Sequence, residues 1–252
     1  MLPKPYFQDE SCTIFLGDAR EILPQLEPVD MFFTDPPYGH NNNNGDLIHN
    51  REAALGLAPI CESDRQARPI ANDGIEANDL VQWFFAQAAN MLRHGGCCCC
   101  GGGGGGPDPQ FARWSLWLDE HLDFKQMVIW DKGPMGMGWH YRRSYETVLV
   151  AQKPGAACKW YDETDRIENI IRHIGKIIPQ KTDHPTPKPP ELAAHFIALH
   201  TQAGEVVCDP FMGGGSTAEA AKLLGRRFVG IDSEERWLKI AVRRLAQEVL
   251  PL

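Results

Sequence analysis

Short apolar runs alternate with longer amphipathic segments along the chain, and this alternation is typical of an α/β protein. Each apolar run is bounded by turn residues, which predicts a buried strand. Each amphipathic segment repeats its apolar positions at spacings of three and four residues, which predicts a helix. The predicted strands are residues 12–16, 29–35, 97–102, 124–130, 145–152, 205–209 and 228–231. The predicted helices are residues 18–26, 76–93, 111–122, 191–200 and 234–250, with one more helix ending at Leu224.

The strand predicted at 29–35 runs into the sequence Thr34-Asp35-Pro36-Pro37-Tyr38-Gly39. Two prolines stop the hydrogen-bond ladder and stiffen the chain, so they hold an acid and an aromatic ring at the carboxyl end of a buried strand. Ligands bind at that end in open α/β sheets. Asp35 and the Pro36 carbonyl are able to accept hydrogen bonds from an amino group, and Tyr38 offers a flat face to a planar ring. The alternative interpretation is a tight turn with a helix-capping Asp.

A second strand, turn and helix lie in the last third of the chain. The strand 205–209 leads into Pro210-Phe211-Met212-Gly213-Gly214-Gly215-Ser216-Thr217, and Asp232 ends the next strand. Glycines at the first turn of a βαβ unit allow close approach to a ligand, and an acid about 20 residues on suits ribose hydroxyls. The unit therefore predicts a nucleoside site. The glycines do not fit G-x-G-x-x-G, which counts against a dinucleotide.

Four segments together resemble the amino-group DNA methyltransferases, which methylate exocyclic nitrogens of adenine or cytosine. They are Gly17-Asp18, the D-P-P-Y motif at 35–38, His184-Pro185-Thr186-Pro187-Lys188-Pro189, and the turn from Asp209 to Thr217 with Asp232. Their order, with the catalytic half before the donor half, is that of the permuted β class. Gly214 stands where the family usually has Ser, Ser216 where it has Thr, and Asp232 where Glu is common. The resemblance covers nearly the whole chain.

The resemblance implies a doubly wound, mostly parallel Rossmann-like methyltransferase sheet with an antiparallel edge hairpin, and S-adenosylmethionine as the methyl donor. It implies four catalytic residues, which are Asp35, Pro36, Pro37 and Tyr38. It implies donor-binding roles for a larger set, which is Asp18, Asp35, Thr186, Lys188, Asp209, Pro210, Phe211, Gly213, Gly215, Ser216, Thr217 and Asp232.

The mechanism expected from these roles is direct methyl transfer to an amino group. A target base leaves the stack and packs on Tyr38, while Asp35 and the Pro36 carbonyl orient its amino group toward the sulfonium methyl. Donor and acceptor must touch, so strands 29–35 and 205–209 are expected to be neighbours in the sheet. The chain has no Pro-Cys nucleophile motif, which agrees with a reaction at nitrogen rather than at cytosine C5.

Adenine N6 is the expected target, because Asp at the first motif position leans to adenine in the family. Three alternatives stay open at this point. They are cytosine N4 methylation of DNA, methylation of an RNA or a protein amide, and a catalytically idle nucleotide-binding module.

The formal charge of −8 argues against a non-specific polyanion binder, but the charge is unevenly spread. Residues 132–188 carry 10 Lys and Arg against 6 Asp and Glu, a net of +4, so the rest carries −12. A local basic face suits contact with double-stranded DNA. We expect one catalytic domain over 1–252, with small recognition insertions at about 40–73, 132–143 and 156–183. Insertions of this size suggest a homodimer.

Eight cysteines raise the question of a metal. The four in the run Cys97–Cys100 cannot converge on one ion, because neighbours in a strand point to opposite faces. Cys12, Cys61, Cys158 and Cys208 lack C-x-x-C spacing, so we interpret them as small core residues in a reducing compartment and expect no metal. The chain has no signal segment and no apolar run long enough for a membrane, which predicts a cytoplasmic protein. The resemblance implies a bacterial or phage-encoded protein associated with the nucleoid.

Overall fold

The computed structural model describes residues 1–38, 76–102, 110–133, 144–176 and 188–246. Within these residues, nine strands form one sheet. They are β1 (Phe7–Gln8), β2 (Cys12–Leu16), β3 (Val29–Thr34), β4 (Leu92–Gly102), β5 (Asp123–Asp131), β6 (Tyr145–Gln152), β7 (Ile170–Ile171), β8 (Val206–Asp209) and β9 (Arg227–Asp232). Six α-helices are described with them. They are α1 (Ala19–Ile22), α2 (Ala77–Met91), α3 (Gln110–Asp119), α4 (Pro190–His200), α5 (Ser216–Leu223) and α6 (Glu235–Ala246).

The strand order is β1-β2-β9-β8-β3-β4-β6-β5-β7. The central strands β2, β9, β8, β3 and β4 are parallel. Strand β6 runs antiparallel between β4 and β5, and β1 runs antiparallel to β2. The expected mostly parallel sheet with an antiparallel hairpin is thus confirmed, with β7 lying parallel to β5 beyond the hairpin.

The adjacency of the two strands that carry the predicted site is also confirmed. Met31 of β3 pairs with Val207 of β8, and Phe32 pairs with Cys208. Parallel strands that touch must present their carboxyl ends at the same edge, so Asp35 and the turn after Asp209 lie at one edge of the sheet.

The core lies on both faces of the sheet, as a doubly wound fold requires. The cysteine run of β4 follows the strand period: Cys97 and Cys99 pack with residues of α4, α5 and α6, whereas Cys98 and Cys100 pack with residues of α1, α2 and α3. All four are buried. Strand β4 begins directly after α2, five residues earlier than the sequence predicted, and its pairing with β3 shifts between Val29 and Met31.

The predicted helix at 18–26 forms only in part. Asp18 caps a single α-turn, and residues Leu23–Gln25 continue as a 3-10 turn. Pro24 lies in that turn, where its ring and missing N–H disfavour a longer α-helix.

A charged cluster closes the amino-terminal edge of the sheet. The carboxylate of Asp30 is buried and accepts hydrogen bonds from Arg93 Nη1 at 2.6 Å, Lys159 Nζ at 3.1 Å and the Val206 amide at 2.9 Å. Lys159 also pairs with Glu205. Asp30 therefore joins β3, β4 and β8 at the edge opposite Asp35.

Candidate active site at the carboxyl ends of the parallel strands

Asp35 and Tyr38 follow β3 and contact each other. The Tyr38 hydroxyl donates a hydrogen bond to Asp35 Oδ1, and the Tyr38 ring lies edge-on to buried Trp114, with 6.0 Å between ring centroids. Tyr38 and Pro37 are half-buried and Pro36 is buried. Burial, together with the charges of Asp35 and Glu146, raises the pKa of Tyr38 well above its ordinary value, so the phenol stays a neutral donor.

Lys188 reaches this pair from the segment before α4. Its Nζ contacts Asp35 Oδ2 and lies 3.4 Å from the Tyr38 hydroxyl and 5.3 Å from the centre of the Tyr38 ring. Burial alone would lower the pKa of Lys188, but the charges of Asp35 and Glu146 outweigh it and raise that pKa. The residue expected at the donor therefore contacts the proposed catalytic carboxylate in this structure.

Glu146 is a member of the site that sequence reasoning missed. It lies near the start of β6, opposite Trp130 of β5, and its side chain is 21% exposed. Its Oε1 accepts a hydrogen bond from Lys132 Nζ at 2.7 Å, and its Oε2 lies 3.3 Å from Lys188 Nζ. Burial alone would raise the pKa of Glu146, but the charges of Lys188 and Lys132 lower it to about 2. The available signal was an acid within an otherwise apolar strand.

Gly101 makes room for Asp35. A Cβ built on Gly101 would lie 2.6 Å from Asp35 Oδ1 and 3.4 Å from the backbone carbonyl oxygen of Thr34. The first distance is well below ordinary contact, so a side chain at this position would force the Asp35 carboxylate to move. Gly101, near the end of β4, therefore leaves the space for the Asp35 carboxylate, a role that the sequence alone did not reveal.

Asp209 fastens the donor-half turn to β3. Its Oδ1 accepts hydrogen bonds from Thr34 Oγ1 at 2.6 Å and the Phe211 amide at 3.1 Å, and its Oδ2 accepts one from Thr217 Oγ1 at 2.7 Å. Burial raises the pKa of Asp209 to about 6 despite these hydrogen bonds. The carboxylate thus holds together the ends of β3 and β8 and the start of α5.

Asp232 fixes the same turn from β9. Its Oδ2 accepts a hydrogen bond from the Gly213 amide and its Oδ1 accepts one from the Glu234 amide, each at 2.8 Å. Burial raises the pKa of Asp232 to about 6. Gly213 and Gly215 have φ of 47° and 80°, which is the left-handed region that glycine tolerates.

Ser216 ties this turn to the lysine segment. Its hydroxyl donates to the Lys188 carbonyl at 2.7 Å and accepts from Arg244 Nη1 at 2.8 Å. The hydroxyl expected at the donor therefore holds the backbone that carries Lys188.

The remaining predicted residues are placed as follows. Asp18 caps α1 through the Arg20 amide and pairs with the Arg20 guanidinium at 2.6 Å, and these contacts lower its pKa. Its neighbour Gly17 donates to the Asp232 carbonyl at 3.0 Å, so Asp18 lies beside the end of β9. Pro210 is buried, and Phe211 packs edge-on against Phe84, with centroids 5.7 Å apart. Thr186 lies outside the described residues, as do positions 40–73, 134–143 and 177–183 of the predicted insertions.

Three possible metal ligands meet far from this site. Among the described residues, Cys97, Cys158 and His200 bring two sulfurs and a ring nitrogen within 4.8 Å of one another. Cys158 therefore has a neighbour that its sequence spacing did not reveal. The Nδ1 of His200 lies 3.0 Å from the Lys159 carbonyl oxygen, to which it can only donate, so that nitrogen is engaged. The expected absence of a metal stays a prediction.

Comparison with known proteins gives one family. Residues 29–243 match the family model described as DNA methylase, of the N6/N4 methyltransferase type. Among curated proteins, the chain is 27% identical to the Type II methyltransferase M2.DpnII of Streptococcus pneumoniae, over 98% of this chain and 94% of that protein.

Solved structures agree in fold. The M1.HpyAVI–SAM complex is 26% identical, with a TM-score of 0.65, and the match covers 93% of this chain and 99% of that one. The PvuII cytosine-N4-specific DNA methyltransferase superposes with a TM-score of 0.71 at 15% identity, over 98% of this chain and 91% of that one, which is a likeness of fold alone.

Proposed function

The chain belongs to the family of N6/N4 DNA methylases, and on that premise we propose that it methylates the N6 amino group of adenine at a specific DNA sequence. As a member of this family it is an S-adenosylmethionine-dependent DNA methyltransferase with the permuted motif order. The choice of adenine rests on Asp35, since a carboxylate at the first motif position leans to adenine in the family.

The observation that carries the proposal is the direct link between the two halves of the site. Thr34, which precedes Asp35, donates its hydroxyl hydrogen to Asp209, which precedes the glycine turn. The acceptor motif and the proposed donor turn are therefore fixed to each other by one buried hydrogen bond. Methyl transfer needs such fixed alignment of carbon and nitrogen.

The glycine turn suits a nucleoside donor. Gly213 and Gly215 present no side chain, and within the described part of the chain Asp232 at the end of β9 accepts one backbone N–H on each oxygen. A carboxylate has about four lone-pair positions, so Asp232 keeps capacity for ribose hydroxyls. Asp18, Asp209, Pro210, Phe211, Ser216 and Thr217 would shape or hold this pocket, together with Thr186 and Lys188.

The proposed reaction is an in-line displacement in which the bound donor supplies an electrophilic methyl group. Asp35 and the Pro36 carbonyl accept the two amino hydrogens and direct the nitrogen lone pair at that methyl carbon. The nitrogen–carbon bond forms as the carbon–sulfur bond breaks, and that electron pair stays on sulfur. The nitrogen then releases one proton to water. The Tyr38 ring supports the extruded base.

DNA recognition is proposed for the insertions at about 40–73, 132–143 and 156–183 of a single domain spanning 1–252. Within the last of these, residues 157–161 run along the opposite edge, where Lys159 N donates to Gly95 O at 3.1 Å and Tyr161 N donates to Leu199 O at 2.9 Å. The proposal therefore concerns the rest of that insertion. A homodimer and a cytoplasmic location are part of the same proposal. No helix in the described part of the chain has the length and apolarity to cross a bilayer.

The test is Asp35→Ala, assayed by transfer of labelled methyl to DNA, with donor binding measured by calorimetry. We expect turnover to fall by about 10² or more while the donor still binds. Digestion of the wild-type product to nucleosides should yield N6-methyladenine. Near-native turnover of the variant would refute the role of Asp35, N4-methylcytosine would refute the choice of base, and label found only in RNA or protein would refute the substrate.

A further inference from the structure

Glu146 stands at the active site without a role in the reaction as described. Its strand, β6, runs antiparallel to β4, and Thr147 pairs with Gly102 at the carboxyl end of β4. That register brings Glu146 to the edge of the sheet that bears Asp35. Its Oε1 is bound by Lys132, whereas its Oε2 is buried and makes no hydrogen bond to the described part of the chain.

Lys188 lies between the two carboxylates. Its ammonium contacts Asp35 Oδ2, and it lies 3.3 Å from Glu146 Oε2, which is close enough for an ion pair but not directed for a hydrogen bond. Its backbone is held by Ser216, so only the side chain is free to turn. A small rotation would give Oε2 the hydrogen bond that it lacks.

The ammonium occupies the position that the reaction assigns to the target amino group. It donates to Asp35 and lies beside the Tyr38 hydroxyl, 3.4 Å from that oxygen and 5.3 Å from the ring centroid. Tyr38 is bound to Oδ1 of Asp35 and Lys188 to Oδ2. An amino group that approaches Oδ2 meets the ammonium there, so an entering base must displace it.

The displacement also matters for charge. The acceptor nitrogen becomes positive as the new bond forms, and a free carboxylate stabilises that charge, whereas one paired with an ammonium is already neutralised. An ammonium moved away from Asp35 without a partner would be a buried lone charge, which is strongly unfavourable.

We propose that Glu146 is a positioning residue for methyl transfer, which receives the ammonium of Lys188 when the target base takes its place at Asp35. Lys132 holds Glu146 in place through Oε1, and Oε2 is the atom that accepts the hydrogen bond from the Lys188 ammonium. The proposal rests on the proposed role of Asp35. It gives a reason for the presence of an acid in β6 between two lysines.

Two substitutions at one position separate charge from shape. Glu146→Gln keeps the shape and removes the charge, so Lys188 stays at Asp35, and kcat/KM for DNA should fall by about tenfold or more while donor affinity holds. Glu146→Asp keeps the charge and shortens the side chain, so it should retain activity within about threefold. A role in packing alone predicts the reverse order, with Gln more active than Asp, and that order would overturn the proposal.

A double-variant cycle supplies a second readout. At saturating donor, adding Glu146→Gln to Lys188→Met should change the rate much less than adding it to the wild type, because no ammonium is left to be received. An equal loss in both backgrounds would contradict the proposal. If Glu146→Gln does not fold, the comparison of Glu146→Asp with wild type remains decisive.

Glu205→Gln is the matched control, since Glu205 is 23% exposed and pairs with a lysine at the opposite edge. It should lower stability without changing kcat/KM. Asp35→Ala separates the two proposals. If Asp35→Ala is inactive and Glu146→Gln is fully active, only the role of Glu146 fails, whereas an active Asp35→Ala removes the proposed function itself.

Discussion

The carboxylate of Asp35 is enclosed by groups that come from distant parts of the chain. Tyr38 binds one oxygen, Lys188 binds the other, and Gly101 leaves the space in which the carboxylate lies. Each of these neighbours restricts where the carboxylate can be. Its position is thus set by its surroundings as well as by the two prolines that follow it.

Gly101→Ala tests that restriction. The new methyl group would lie 2.6 Å from Asp35 Oδ1, so the carboxylate must move by about the size of that overlap. A displacement near 1 Å at a reacting group costs roughly 10² in rate, and we expect a loss of about tenfold to 10² in kcat with donor binding unchanged. A methyl-transfer assay measures kcat, and calorimetric titration measures donor binding.

Gly204→Ala provides the comparison for this change. Gly204 has a left-handed backbone, with φ of 83°, which Gly101 does not have, and a Cβ there would meet nothing within 4 Å. It should cost stability through backbone strain and leave kcat alone. Equal activities of the two variants would show that Gly101 does not constrain Asp35.

The turn between β8 and α5 depends on two buried acids rather than on its own sequence. Asp209 receives hydroxyl hydrogens from β3 and from α5, and Asp232 receives the Gly213 amide from the turn. The glycines allow the left-handed backbone of this turn, and the hydrogen bonds to the two acids fix its conformation. Hence the donor half is shaped by neighbouring strands.

Asp209 should make the free energy of unfolding depend on pH. Its folded pKa of about 6 lies above the ordinary value of 3.8 because of burial, so the folded state holds the proton more tightly. Its contribution to stability is therefore complete below the unfolded pKa and is lost as pH rises through the folded pKa. Two units of pKa correspond to about 3 kcal/mol.

The measurement is urea unfolding of wild type and Asp209→Asn between pH 4 and 7. The free energy of unfolding of the wild type minus that of the variant should fall as pH rises, because Asn cannot ionise. Asp232, which titrates in both proteins, cancels in that difference. A difference independent of pH would mean that Asp209 is not held with a raised pKa.

Sequence periodicity predicted most of the elements and missed the two shortest strands. Strands β3, β6 and β8 and helices α2 and α4 lie within a few residues of their predicted bounds, since each carries a clear pattern of apolar positions. Strands β1 and β7 have two residues each, which is too few to carry a period. The motif at 35–38 was recognisable because its residues are consecutive. Glu146 and Gly101 were not, because their approach to Asp35 depends on how β6 and β4 align.

Across the whole molecule, the two edges of the sheet have separate tasks. The carboxyl edge carries the proposed reaction, while Asp30, Arg93, Lys159 and Glu205 form an ion-pair cluster at the amino edge. The family resemblance pointed to the site at the carboxyl edge. Nothing in the sequence indicated the ion-pair cluster at the amino edge, because its four residues are far apart in the chain. A division of this kind predicts that stability and catalysis can be changed independently.

Asp30→Asn tests that division. Burial alone would raise the pKa of Asp30, but the Val206 amide, Lys159 and Arg93 lower it, so its contribution to stability is present above the unfolded pKa and is lost as pH falls. Removing the charge leaves Arg93 without its carboxylate and Lys159 with Glu205 alone, and we expect the free energy of unfolding at pH 7 to fall by about 2–4 kcal/mol. Denaturant unfolding measures that loss.

The same variant should keep kcat and both KM values within about twofold at a temperature where it is folded, since the change lies at the far edge. Loss of activity in the folded protein would show that the edges are coupled.

The pairing of β3 with β8 has a consequence for synthesis on the ribosome. Val206 and Asp30 are hydrogen-bonded across 176 residues, so β3 leaves the ribosome long before its neighbour exists. Until then the nascent chain exposes one bare edge of a strand that is buried along its whole length in the folded protein, which is a site for wrong pairing and for chaperone binding. Because the strand that closes this edge also brings the glycine turn, an incomplete chain has no assembled centre, and activity arises only with the last third of the polypeptide.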